Sequence, residues 1–431
     1  MTGIAGDVRL TVVVVGVIET TDVKGIPVVV EQLPFFRSVA FGIWIFAGSR
    51  DEPDKKSGLF HFLEHLVFKG TKKRTTNQIA VEIDRLGGRI DAFTSREITC
   101  YSAHVVSEHV ENAFELISDL MLNPQFPEDE IERERQVILE EIRSIADNPT
   151  ELIHERLYSA KWLGHPLGRS IAGNSSTVLS INRDDLLRIR DDFYKLPRII
   201  ITAGGDINLK KMSLLVERYF DLPKGLTVKR ARMDIKSRGV LEVVDKQLEQ
   251  AHLLFATNGL EIDDSRRHQL SILNLILGGG VSSRLFQTIR EQRGLAYTIY
   301  SFYDQYSEGG MFGVYAACAV SALRELWGVS RSEILRLIED GPTEKEVERA
   351  KLQSSGNIKM SMESPNTRIS QIAYQLHYFG EIITEEVMID NVMSVTADQV
   401  RQLGRALWTE EKHYTKVALG PLCEKEVSFL S

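Results

Sequence analysis

The feature that most limits how this chain can fold is an internal repeat. Residues 48–69, GSRDEPDKKSGLFHFLEHLVFK, lie over residues 259–280, GLEIDDSRRHQLSILNLILGGG, without a gap, so Gly48 falls on Gly259 and Leu59 on Leu270. A second block, at an offset of 216, sets Ile131 on Val347, Arg133 on Arg349, Ile142 on Ile358, Pro149 on Pro365, Ile153 on Ile369, Tyr158 on Tyr374 and Gly164 on Gly380. The same offset sets Gly204 on Gly420. A period near 210 residues is domain-sized and far longer than a solenoid repeat. In the first copy, GIPVVVEQL, RSVAFGIWIFAG, RIDAFTS, EITCYSAHV and RIIITAGGDI read as strands. Helical patterns lie at the LFHFLEH stretch, in TTNQIAVEIDRLGG up to Gly87-Gly88, and over 108–122 and 128–146. The expected class is α+β: two homologous domains, each an antiparallel β-sheet with helices packed on one side. The expected boundaries are residues 1–222 for the first domain, 223–238 for a linker rich in basic and turn residues, and 239–431 for the second.

Composition narrows the setting. The net charge of −8 leaves no basic footprint for nucleic acid. No apolar run approaches the roughly 20 residues that span a bilayer. The longest, Leu10–Ile18, lacks a basic flank and a small-residue cleavage site, so it reads as a strand or extended tail rather than a signal peptide. Cys100, Cys318 and Cys423 are scattered and fit neither a disulfide framework nor a metal spacing. A cytoplasmic location is the simplest expectation.

The repeat gives the ionisable residues of the first copy their meaning. His61, Glu64 and His65 face Ile272, Leu275 and Ile276 in the second copy. The fold therefore wants apolar side chains there, and burying ionisable ones costs several kcal/mol unless something compensates. His61 and His65 are one helical turn apart on one face, where both imidazoles can reach one ion. Glu64 sits beside them, within reach of a water on that ion. The order is H-x-x-E-H, an inverted zincin motif. Catalytic zinc takes a third protein ligand. In EDEIERERQVILEEIRSIA, Glu134 and Glu141 fall within roughly 60° of Ile138 on the inward face, whereas Glu140 lies about 160° away. Their counterparts in the second copy are Ala350 and Asn357, so these acids too belong to one half only.

The stretch GLFHFLEHLVFKGT resembles the zinc motif of the pitrilysin and mitochondrial processing peptidase family. The resemblance covers nearly the whole chain, doubled domain included, and implies one Zn2+ per subunit. It implies His61, His65 and Glu141 as zinc ligands, since Glu141 lies the family's 76 residues after the second histidine. It further implies Glu64 as the catalytic base and Glu134 as a residue behind the ligands. Gly87-Gly88 followed by RIDAFTSRE resembles the family's substrate-binding edge strand, with Asp91, Ala92, Phe93 and Thr94 as candidate peptide contacts. The bland alternative is an ordinary edge guarded by charges such as Arg96 and Glu97. Asp91 stands where the family often has Asn and cannot donate as an amide would. LGGGVSSRLFQTIREQRGLAYTIYS resembles the family's second signature, which implies Arg290 and Tyr297 as substrate contacts opposite the zinc. Four-domain relatives supply that pair from their fourth domain, so the resemblance implies a homodimer in which each subunit completes its partner's site.

Other residues read as bland: His104 and His109 as structural or solvated, and Lys69 and Lys72–Arg74 as a solvated loop. The leading expectation is a zinc metalloendopeptidase that hydrolyses peptides or unfolded segments inside a closed dimer chamber. The alternatives are a presequence-processing peptidase and a non-catalytic structural subunit of a hetero-oligomer.

Overall fold

The computed structural model describes residues 16–222, 233, 239–408, 411–423 and 425–430. The expected linker, apart from Met233, and most of the Leu10–Ile18 run lie outside the described residues.

The first half runs β1 (Val17–Val23), β2 (Ile26–Gln32), β3 (Ser38–Ile45), α1 (Leu59–Val67), α2 (Thr76–Arg85), β4 (Arg89–Thr94), β5 (Thr99–Val106), α3 (Val110–Leu122), α4 (Glu128–Asp147), α5 (Pro149–Lys161), α6 (Ser175–Ser180), α7 (Arg183–Phe193), β6 (Ile199–Gly205) and α8 (Leu209–Tyr219). The second runs β7 (Val240–Asp245), β8 (Ala251–Gly259), α9 (Arg267–Leu277), β9 (Ala296–Tyr306), β10 (Gly309–Cys318), α10 (Leu323–Glu339), α11 (Glu344–Ser361), α12 (Pro365–Phe379), α13 (Glu385–Met393), α14 (Ala397–Leu407) and β11 (Thr415–Gly420).

The repeat is visible as topology. One sheet has the order β1-β2-β6-β3-β5-β4 and the other β7-β11-β8-β10-β9. Apart from the extra edge strand β1, the two orders coincide element for element. Glu128 and Glu344, 216 apart, open α4 and α11, and Pro149 and Pro365 open α5 and α12. Proline suits the first helical turn, where its missing N–H would have no partner. Each sheet is antiparallel except for one parallel pair, β2 with β6 and β7 with β11. Those two strands are joined through the whole helical layer, and such a long crossover permits parallel pairing.

Except for α5 and α12, each half's helices pack on one face of its own sheet, around a core that includes Phe41, Phe60, Phe62 and Phe114 in the first half. The opposite face is covered by the other half. Ile153, Leu157 and Trp162 of α5 pack on Leu254, Ala256 and Leu419 of the second sheet. Ile369 and Ala373 of α12 pack on Ala40, Trp44 and Ile200 of the first. This exchange explains why β3 and β6 are buried along both faces and read as continuous apolar runs.

At the junction, Arg50 meets Glu97, donates to Ser307 Oγ at 3.0 Å and pairs with Glu308 at 2.8 Å. Arg96 stacks 3.6 Å from the Tyr158 ring centroid. Arg96 and Glu97 are therefore buried joints between the halves rather than charges guarding an edge. They lie in the turn between β4 and β5, which places Arg96 against α5 and Glu97 against Arg50 and the Ser307 N–H.

Candidate metal centre and active site

Helix α1 is only nine residues long, below the roughly 12–15 at which an isolated helix becomes stable. Packing holds it: Leu59, Phe60, Phe62, Leu63, Leu66 and Val67 are all buried. Of the remaining positions, 61 and 65 face α4. There His61 Nε2 lies 3.5 Å and His65 Nε2 3.7 Å from the same Glu141 oxygen. These distances are too long for good hydrogen bonds. They match the spacing, roughly 3.3 Å, between ligand atoms placed tetrahedrally around zinc at about 2.0–2.1 Å. The three ligand atoms lie within 4.8 Å of one another, and among the described residues they are the group so placed.

Glu134, about two helical turns before Glu141, stands behind His65. Its carboxylate takes a hydrogen bond from His65 Nδ1 at 3.1 Å. A carboxylate only accepts, so Nδ1 carries the proton and Nε2 turns a lone pair toward Glu141. The other Glu134 oxygen pairs with Lys69 Nζ at 2.7 Å. His61 Nδ1 is buried without a hydrogen-bond partner. Burial, helped by neighbouring His65, holds the His61 pKa down to about 4, which keeps the ring neutral as a metal ligand requires. The donor set of two imidazoles and a carboxylate thus fits zinc.

Glu64 projects from the same helix toward the sheet. Burial raises its pKa above the ordinary carboxylate value, against hydrogen bonds from the Thr94 side chain and main chain. Thr94 ends β4, the outermost strand of its sheet, whose far edge has no strand partner among the described residues. Along β4, Ile90 and Ala92 pack toward the helices, and Asp91 and Phe93 are exposed on the other face. Asp91 lies 3.4 Å from Arg89, and Phe93 meets Trp44 edge-on at 6.1 Å. Asp91, Ala92, Phe93 and Thr94 thus lie on a free edge that ends beside Glu64.

Arg290 lies on a π-helical segment, Phe286–Gln292, and Tyr297 on β9. The guanidinium carbon sits 4.2 Å from the Tyr297 ring centroid, and Nη1 donates to the Tyr297 carbonyl at 3.0 Å. Tyr297 is 75% exposed. Their polar and ring interactions are with each other, Phe286 and Glu291, and none is with the His61–His65–Glu141 cluster.

Two readings of the sequence need correction. Lys69 is not part of a solvated loop, because it pairs with Glu134. Arg74 is held by Glu82, Glu115 and Asp119 at 2.5–2.8 Å. Lys69 lies four residues after His65, on the same helical face, and that spacing was the available signal. His104 and His109 are structural, bonded to Ser38 Oγ and to the Leu86 carbonyl.

Comparison with known proteins extends these findings. The family description "Insulinase (Peptidase family M16)" matches residues 27–175, and "Peptidase M16 inactive domain" matches residues 180–354. The uncharacterized zinc protease YmxG of Bacillus subtilis is 36% identical over 390 residues, covering 90% of this chain and 95% of that protein. An uncharacterized zinc protease of Streptomyces coelicolor is 34% identical over 419 residues, covering 95% of this chain and 91% of its own. Among solved structures, a Helicobacter pylori protease superposes with a TM-score of 0.87 at 22% identity, over 94% of this chain and all of the other. A Pseudomonas fluorescens protein described as a peptidase M16 inactive domain gives 0.88 at 20% identity, over 94% and 98%. With both halves matched by M16 descriptions and relatives this similar along its length, the chain belongs to the M16 peptidase family.

Proposed function

We propose that this protein is a zinc metalloendopeptidase that cleaves peptides or unfolded segments within a closed homodimer. The observation that carries the reading is the convergence of His61 Nε2, His65 Nε2 and Glu141 beside the free edge of β4. These three groups would hold a zinc ion, which would supply a water of pKa lowered toward about 7 and a Lewis acid for the peptide carbonyl.

The chain's own residues do the rest. Glu64 takes a proton from the attacking water on its carboxylate and passes it to the leaving amine nitrogen. Its burial brings its pKa closer to neutrality, where a general base works best. Glu134, anchored by Lys69, holds the His65 ring in one tautomer and one orientation. The edge of β4 binds the substrate's main chain by strand addition, which is indifferent to sequence and suits extended, unfolded segments. Arg290 and Tyr297 reach the zinc site of the second subunit, where a guanidinium and a phenol stabilise charge on the carbonyl oxygen. The exposure of the Tyr297 ring, with half-buried Arg290 packed beside it, supports this role. The intact ligand set speaks against a non-catalytic subunit.

The test is hydrolysis of a quenched peptide library by the purified protein, with and without chelator, alongside bound-zinc analysis. Zinc content near zero would overturn the reading. The shared site has its own test: Arg290→Ala and Glu64→Gln proteins, each inactive, should regain partial activity when mixed. Failure to do so despite demonstrated subunit exchange would rule it out.

A further inference from the structure

Helix α1 has a partner at its N-terminus that neither the motif nor the reaction accounts for. Glu52 lies in the loop before the helix and is 4% exposed. One of its carboxylate oxygens accepts the Gly58 N–H at 2.8 Å, and the other accepts the Phe60 N–H at 2.7 Å. These are N–H groups of the first turn, which a helix cannot satisfy internally. Gly58 itself has no side chain to cap with, and its φ of 97° is left-handed. A Cβ there would come 2.7 Å from the Ala172 carbonyl oxygen, so the entry to α1 is closed from that side too. Arg169 donates to the Glu52 carbonyl at 2.5 Å, which fixes the main chain from which the carboxylate projects. His61 is the next residue after Phe60.

The second half lacks the device. The residue 211 positions after Glu52 is Asp263, and α9 begins with no side-chain cap. The neighbouring Asp264 bonds only locally, to the Arg266 N–H at 2.8 Å and to the Arg266 side chain. An apolar helix such as α9 tolerates a small shift along its axis, because its contacts are not directional. A helix that must bring two imidazole nitrogens to one carboxylate does not.

We propose that Glu52 is a positioning residue of the zinc site: it fixes the first turn of α1, and so the height at which His61 and His65 face Glu141. The inference rests on the zinc reading above. Both oxygens must accept, and an amide in place of the carboxyl turns an N–H donor toward one of the two N–H groups.

The experiment compares Glu52→Gln and Glu52→Asp with the wild-type protein and with Glu31→Gln. Glu31 is a buried carboxylate paired with Arg368 between the halves, remote from α1, and it controls for general destabilisation. Zinc affinity is measured by equilibrium competition with a chromophoric chelator, and melting temperature with and without zinc. Glu52→Gln should bind zinc about 10–100-fold more weakly, the range for partners that orient metal ligands. Its zinc-induced rise in melting temperature should shrink by more than its metal-free melting temperature falls. Glu52→Asp, whose shorter arm reaches one N–H, should fall between. Glu31→Gln should lower the melting temperature and leave zinc affinity unchanged. A wild-type zinc constant in Glu52→Gln, or in Glu52→Asp if the amide variant does not fold, overturns the proposal. A wild-type protein that binds no zinc overturns instead the reading on which it rests.

Discussion

Helices α1 and α9 occupy the same place in two copies of one fold, yet at three positions ionisable side chains in one stand opposite apolar ones in the other. In α9 these are Ile272, Leu275 and Ile276, with both isoleucines at most 1% exposed. In α1 they are His61, Glu64 and His65. The partner helices differ in step: α4 brings Glu134 and Glu141 where α11 has Ala350 and Asn357. The comparison separates what the fold requires from what the site requires. The scaffold is satisfied by the apolar residues at 272, 275 and 276, so the ionisable groups at the matching positions of the first copy are a cost that the fold alone does not explain. The first half offsets that cost with directional partners: Glu134 for His65, Lys69 for Glu134, Thr94 for Glu64 and Glu52 for the helix end.

The largest effect should come from Glu64→Gln, which keeps the shape of the first copy but removes its base. Peptide hydrolysis should fall by at least about 10³-fold while bound zinc stays stoichiometric. Activity close to wild type in that variant would break the assignment of chemistry to this half. Next comes Glu134→Gln, expected to weaken zinc affinity or activity by about 10–100-fold. An unchanged zinc constant would reduce Glu134 to a packing residue.

The comparison can also be reversed. Writing the second copy into the first, with His61→Ile, Glu64→Leu and His65→Ile together, should abolish zinc binding. It should also raise stability above that of the metal-free wild type by about 1–3 kcal/mol, as replacing poorly paired buried polar groups does. Denaturant titration of both metal-free proteins decides this, and a less stable triple variant would show that these groups pay their way without metal.

The smallest expected effect contrasts the two exchanged helices. Helix α5 brings His154 to Tyr300 on the second sheet, and His252 of that sheet bonds Tyr315, whereas α12 seats Ile369 and Ala373 on the first. Burial lowers both histidine pKa values below 6.5, with Asp304 opposing the shift at His154. Below about 6.5 the unfolded chain then binds more protons than the folded one, so this contribution is intact above that pH and is lost as pH falls. Melting temperature should drop by a few degrees between pH 7 and pH 5, and less in a His154→Gln, His252→Gln protein. An identical slope in that variant would remove these histidines from the account.

The doubled fold was legible in the sequence, and so were the residues proposed for the site. The repeat exposed the three ionisable residues by contrast with their apolar counterparts, and helical phase turned Glu134 and Glu141 inward and Glu140 outward. Both signals are local or periodic, and periodicity survives in one dimension. Tertiary structure decided what periodicity cannot encode. It put α5 and α12 on each other's sheets, buried Arg96 and Glu97 at the junction, turned Lys69 onto Glu134 and carried Glu52 back to the start of α1. Each of these is a contact between groups whose separation follows no strand or helix period. Packing of the whole chain fixes their geometry, and no stretch of sequence does so alone.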